Sequence, residues 1–89
     1  MHYVYVLKNP ANDRIYIGFT SDLKRRFKEH QNMPSHRGWK LVYYEAYLDE
    51  SDARQRESKL KNYGSALGKL KARIGKSMNL SGLERAGSQ

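Results

Sequence analysis

Two short β-rich runs separated by a cluster of turn formers constrain this chain more than any other feature. Tyr3-Val4-Tyr5-Val6-Leu7 and Ile15-Tyr16-Ile17-Gly18-Phe19 are rich in aromatic and β-branched residues, which suit a pleated and partly buried surface. Between them stands Asn9-Pro10-Ala11-Asn12-Asp13, where a fixed proline φ and local side-chain hydrogen bonds favour a turn. Two strands joined over so short a connection form an antiparallel hairpin.

The pattern then changes period. Thr20 or Ser21 is placed to cap a helix whose positive first turn suits Asp22, and Leu23, Arg26, Phe27 and His30 follow on one face. Pro34 and Gly38 lie in a polar segment, so this helix stops near Gln31. Leu41 to Tyr47 is a third β-rich run, with Val42, Tyr44 and Ala46 alternating against Leu41, Tyr43 and Glu45. Ser51 is a candidate cap for a second helix, in which Ala53, Glu57 and Leu60 share a stripe until Tyr63-Gly64 ends it. A third helix is expected from Ser65, carried by Leu67, Leu70 and Ile74, although Gly68 inside it costs about 1 kcal/mol relative to alanine. These elements predict an α+β domain: a small three-stranded antiparallel sheet flanked by helices in the order ββαβα(α). From Lys76 the chain is polar, so residues 76–89 are expected to form a tail.

Eighty-nine residues suffice for one small domain with a thin core. The absence of cysteine excludes a disulfide framework and any thiolate zinc site. No apolar run approaches the ~18 residues of a membrane span, and the chain begins on a strand-like run instead of a signal peptide. A soluble, cytoplasmic protein with no membrane partner is expected. The charge is segregated: residues 1–52 hold eight bases and seven acids, whereas residues 53–76 hold eight bases and one acid. Such a concentration attracts a polyanion, and nucleic acid rewards it through counterion release. A lysine-rich solvated surface is the plainer alternative.

Glu57 is the only acid between Asp52 and Glu84, and it sits on the inner stripe of the most basic helix. Lys61, four residues on, offers it a helix ion pair. Equally, a single carboxylate in a phosphate-binding surface suffices for Mg²⁺, which fills its octahedron with water and substrate phosphate. Arg26 and His30 are one helical turn apart and can converge on one phosphate, or belong to a solvated face with Lys24, Arg25 and Lys28. Tyr5 and Tyr16 are brought near each other by the hairpin, either as core aromatics or as general bases. A phenol with pKa about 10 is poorly ionised near neutral pH, and a cationic surface would ease that deficit. Walker-type phosphate loops, His-x₃-His spacing and a serine nucleophile elbow are absent from the sequence.

Tyr3-Val4-Tyr5, then Tyr16-Ile17-Gly18, then Arg26 and His30, then Glu57 together resemble the GIY-YIG endonucleases, in particular the small stand-alone bacterial type related to the catalytic domain of structure-specific endonucleases. The most specific stretch runs from Tyr16 to His30, supported by Ala53-x₃-Glu57-x₃-Lys61 and by Leu70-Lys71-Ala72-Arg73-Ile74. The resemblance spans residues 2–75, and residues 1–75 are taken as the nuclease-like domain. It implies one Mg²⁺ or Mn²⁺ held by Glu57, phosphodiester hydrolysis by a water activated by Tyr5 or Tyr16, charge stabilisation by Arg26, and His30 close by. Tyr-Val-Tyr replaces Gly-Ile-Tyr in the first motif, but the tyrosine placed at the chemistry is kept as Tyr5. Gly18 is expected to be structural, letting the backbone leave the strand tightly.

Arg25, Lys61, Lys69, Lys71 and Arg73 are the expected nucleic-acid contacts. The sequence thus points to a metal-dependent endonuclease acting on DNA, with a protein partner to select substrates. A nucleic-acid-binding module of the same fold that does not cleave is the alternative.

Overall fold

The structure is a computed structural model and describes residues 1–79 of the chain. Strand β1 (His2–Lys8) is central, flanked by β2 (Ile15–Thr20) and β3 (Lys40–Tyr47) in the order β2-β1-β3, and both pairings are antiparallel. Helix α1 (Leu23–Gln31) joins β2 to β3, and α2 (Glu50–Asn62), α3 (Gly64–Arg73) and α4 (Gly75–Asn79) follow. The fold is the α+β arrangement expected, with the third helix formed despite Gly68.

Residues directly opposite in a ladder share a face of the sheet, so the register sorts the side chains. Val4 pairs with Phe19 and Val6 with Ile17, and this face is covered by α2 and α3. Val4, Val6, Ile17, Ala53, Leu60 and Leu70 form the buried core there. Burying each of the larger aliphatic side chains contributes roughly 1.5–3 kcal/mol, which is what fixes α2 and α3 to the sheet. The other face carries Tyr3, Tyr5, Leu7, Tyr16, Gly18 and Tyr44, because Tyr5 pairs with Gly18 on one side and with Tyr44 on the other.

The structure departs from the sequence reading at the caps and in β3. Asp22, and neither Thr20 nor Ser21, caps α1 by accepting from the Arg25 N–H at 3.0 Å. The Thr20 hydroxyl instead accepts from the Asp22 N–H at 3.0 Å, building the turn one step earlier. Asp49, not Ser51, caps α2 by accepting from the Asp52 N–H at 3.0 Å. In both cases a carboxylate displaces a nearby hydroxyl, consistent with the favourable interaction of an anion with a helix N-terminus.

The β3 alternation also breaks. Val6 pairs with Tyr43 and Leu7 with Leu41, so Val42 is the extra residue of a β-bulge. Val42 and Tyr43 therefore both pack against the core, where simple alternation puts them on opposite faces. Helix α4 continues the chain to Asn79, and the remainder of the 76–89 tail lies outside the described residues.

Candidate active site

Gly18 sets the floor of the site. A Cβ at this position would collide with the Cζ and hydroxyl oxygen of Tyr5, whose ring lies across it. β2 continues through Thr20, so Gly18 is not the strand exit expected from the sequence; it supplies clearance for a neighbouring ring. Tyr5 packs over Gly18 and is shut from solvent, with 1% exposure.

Across this floor α1 lowers His30, which is fully buried. Its Nε2 meets the Tyr5 hydroxyl at 2.7 Å, and its Nδ1 meets Nδ1 of His36 at 3.0 Å. Each contact needs one donor and one acceptor, so the protons of the three groups are linked. If the Tyr5 hydroxyl donates to Nε2, the His30 Nδ1–H donates to His36; if His36 donates, His30 donates to the Tyr5 oxygen. Tyr16 closes the cluster, its ring centroid 5.0 Å from that of His30, 4.8 Å from that of His36 and 6.2 Å from that of Tyr5.

Arg26, one turn before His30, interacts electrostatically with the Tyr5 and Tyr16 phenols while its Nη1 donates to Glu29 at 2.9 Å. These partners hold Arg26 firmly protonated, Glu29 contributing most. Burial pushes the Tyr5 phenol up to about 12, and Arg26 offsets only part of that. Arg26 therefore acts on Tyr5 in the expected direction, and burial outweighs it. Burial, then the Arg26 and His36 charges, push the His30 ring below its ordinary value. Tyr5, Tyr16, Arg26 and His30 thus form one constellation, in which Tyr16 and Arg26 remain partly open to solvent.

Glu57 is sheltered, its side chain 18% exposed, and its carboxylate binds Lys61 at 3.1 Å. Ala53 and Leu60, its neighbours on the stripe, face Val4, Val6 and Ile17, the side of the sheet opposite Tyr5 and Tyr16. Among the described residues no hydrogen bond, ion pair or ring contact joins Glu57 to the tyrosine–histidine cluster. No group of three or more His, Cys, Asp or Glu side chains is assembled as a metal cage among them either.

The expected nucleic-acid contacts divide between locations. Arg25 is exposed but tied to Glu29 at 2.8 Å and to Asp22 at 3.7 Å. Lys69 and Arg73, one turn apart on α3, line a cleft of about 380 Å³ with Arg56 of α2. Lys71 is exposed and outside that cleft. Arg56 also grips Glu45, the most sheltered carboxylate engaged in an ion pair, whose oxygens accept from the Tyr43 and Tyr47 hydroxyls. Burial opposes ionisation of Glu45, but these donors outweigh it and hold the carboxyl below its usual range.

His36 and Trp39 are the participants that sequence reasoning missed. Trp39 packs edge-on against His36 at 4.8 Å, backing it onto Tyr16. Both lie in the irregular segment after α1, where no periodicity signals which side chains turn inward.

Residues 1–71 match the GIY-YIG catalytic domain. The chain belongs to the GIY-YIG family. It is 37% identical over 67 residues to a UPF0213 protein of Clostridium perfringens, covering 68% of this chain and 71% of that one. It is 35% identical over 69 residues to a UPF0213 protein of Staphylococcus epidermidis, covering 70% and 82% of the two chains. A UPF0213 protein of Bacillus pumilus is 32% identical over 68 residues, covering 70% and 68%. No solved structure matches the chain. Membership in the GIY-YIG family supports an endonuclease-type function on a nucleic-acid substrate. Among the described residues no helix is long and apolar enough to cross a membrane.

Proposed function

We propose that residues 1–75 form a divalent-metal-dependent endonuclease domain that hydrolyses DNA phosphodiester bonds in the cytoplasm, with Tyr16 as general base, Arg26 on the phosphate and Glu57 as the metal ligand. The observation that carries the choice of base is the contrast between the phenols. Tyr5 is buried, bonded to His30 and raised to about 12, whereas Tyr16 is half-buried and faces Arg26.

In the reaction a water oxygen attacks phosphorus, its proton passes to the Tyr16 oxygen, and the bond to the leaving sugar oxygen breaks, that oxygen taking a proton from solvent. Accepting that proton requires the phenolate form of Tyr16, and the Arg26 guanidinium stabilises the charge growing on the phosphate. Tyr5 and His30 act through others, holding the ring stack and the α1 backbone that aims Arg26. Lys61, Lys69, Lys71, Arg73 and Arg25 bind flanking phosphates, and a partner protein selects substrates.

The donor set fits a hard cation assembled with its substrate: one sheltered carboxylate, no cage among the described residues, and phosphate and water to complete the shell. When bound, Mg²⁺ or Mn²⁺ would supply Lewis-acid neutralisation of the phosphate. One observation favours the rival module that binds without cleaving, namely that the Glu57 carboxylate is already paired with Lys61. The two are distinguished by incubating branched, single-stranded and duplex DNA with Mn²⁺ and the pure chain. Cleavage that Glu57→Gln abolishes, together with paramagnetic broadening of resonances around Glu57, supports the enzyme. Salt-sensitive binding with no cleavage, unaltered by Glu57→Gln, supports the module.

A further inference from the structure

A groove of about 910 Å³ lies on the same sheet face as Tyr5, between α1 and the β1–β3 edge. Its walls are Tyr3, Tyr44, Phe27 and Leu41, with Lys24 and Lys28 at the rim. Tyr3 and Tyr44 meet edge-on at 6.0 Å, and Tyr44 nonetheless remains 53% exposed, leaving much of its ring open to a further partner. The two lysines stand one turn apart on α1. Among the described residues neither is paired with an acid, unlike Arg25 and Arg26, which share Glu29. Among the described residues the one carboxylate lining the groove, Asp22, is occupied by the Arg25 N–H and guanidinium.

The groove is continuous with the proposed reaction centre. Tyr44 lies directly across the ladder from Tyr5, and Tyr3 is two residues from Tyr5 on β1, ~7 Å along the strand. On α1, Phe27 turns to the groove and its neighbour Arg26 to the phenols. Aromatic walls with unpaired cations at the rim are the chemistry of an unstacked nucleobase held beside its own phosphate. A continuous duplex keeps its bases stacked and presents no face to such a groove.

We infer that this groove takes an unpaired nucleobase next to the scissile phosphate, so that the preferred substrate is nucleic acid with a single-stranded segment. The inference rests on the nuclease reading for the position of the phosphate. Occupation by a second copy of the chain or by an apolar peptide is the competing outcome.

The test is fluorescence of 2-aminopurine in a single-stranded oligonucleotide and in the same sequence as a duplex, with the full chain in EDTA so that nothing is cut. Expected are quenching of the single strand on binding, weaker binding of the duplex, and roughly tenfold weaker single-strand binding by Tyr44→Ala, restored by Tyr44→Phe. The Lys24→Gln/Lys28→Gln double variant should lower the salt slope of single-strand binding by about 1.4, near 0.7 for each lost phosphate contact. Equal affinity for single strand and duplex overturns the inference. So does Tyr44→Ala that binds normally, or that merely converts a dimer to a monomer. Selective, Tyr44-dependent binding without cleavage of any DNA would keep the groove and discard the enzyme. Cleavage indifferent to strandedness would do the reverse.

Discussion

The Tyr5 hydroxyl lies 2.7 Å from Nε2 of His30, and both side chains are closed to solvent. This contact ties the central strand to α1 and fixes the backbone from which Arg26 emerges. It also separates the roles of the two tyrosines. Tyr5→Phe leaves a buried ring nitrogen without its partner and should cost about 1–3 kcal/mol, lowering the melting midpoint by several degrees. Tyr16→Phe should melt nearly as wild type yet lose cleavage by ~10²–10⁴-fold. Calorimetry and a cleavage assay on both variants check this, and normal cleavage by Tyr16→Phe would return the base to Tyr5.

Gly18 and Gly68 make a matched pair with opposite expectations. An alanine methyl at Gly18 meets the Tyr5 ring and hydroxyl, which are themselves held by His30 and cannot retreat freely. Gly18→Ala should destabilise by roughly 1–3 kcal/mol, as overpacking does. A methyl at Gly68 meets nothing within 4 Å, so Gly68→Ala in the interior of α3 should stabilise by about 1 kcal/mol. Denaturant midpoints of the two variants, compared at constant slope, decide the signs.

Much of this architecture was legible because local chemistry and global packing agree. The turn cluster at Asn9 to Asp13 reads as a hairpin and is one, with Asn9 and Asn12 side chains accepting from backbone N–H groups two residues on. Arg26 and His30 share a helix face in sequence and reach the same tyrosines in space. The bulge at Val42 was not legible, since alternation alone carries no mark of an extra residue. Nor was the role of His36, because a ring placed by an irregular segment leaves no period to read. The clearance role of Gly18 depends on the rotamer of a residue on another strand. Glu57 was read correctly as a sheltered carboxylate beside Lys61, but its relation to the phenols depends on which sheet face α2 covers.

Stability should fall on mild acidification through one identifiable group. Burial, Arg26 and His36 hold His30 below its ordinary 6.5, so the folded chain keeps this ring neutral where the unfolded chain takes up a proton. The depressed value means that the contribution is complete above pH 6.5 and is lost as pH falls. Glu29, Glu45 and Glu50 are also held low, by Arg26, by Arg56 with its phenolic partners and by Arg54 respectively, but their losses are centred on and below 4.5. Between pH 6.5 and about 5.5 the slope of unfolding free energy therefore reports mainly His30. His30→Gln keeps a hydrogen-bonding side chain but cannot titrate, and should flatten that slope. A slope unchanged in the variant would assign the titration elsewhere.

The last prediction concerns the ammonium that occupies Glu57. Lys61 is half exposed and its pair with Glu57 follows the favourable i,i+4 order, so Lys61→Ala should change stability by no more than about 0.5 kcal/mol. Its effect on cation binding should be larger and of the opposite sense. An ion seated on the Glu57 carboxylate must displace the Nζ group now 3.1 Å from Oε2, and removing that competitor should tighten Mn²⁺ binding roughly two- to fivefold. Paramagnetic broadening during a Mn²⁺ titration of the wild type, Lys61→Ala and Glu57→Gln measures this without any substrate. Tighter binding in the first variant and loss in the second identify Glu57 as the ligand. Identical titrations in all three chains would place the cation elsewhere and leave Glu57 as half of a helix ion pair.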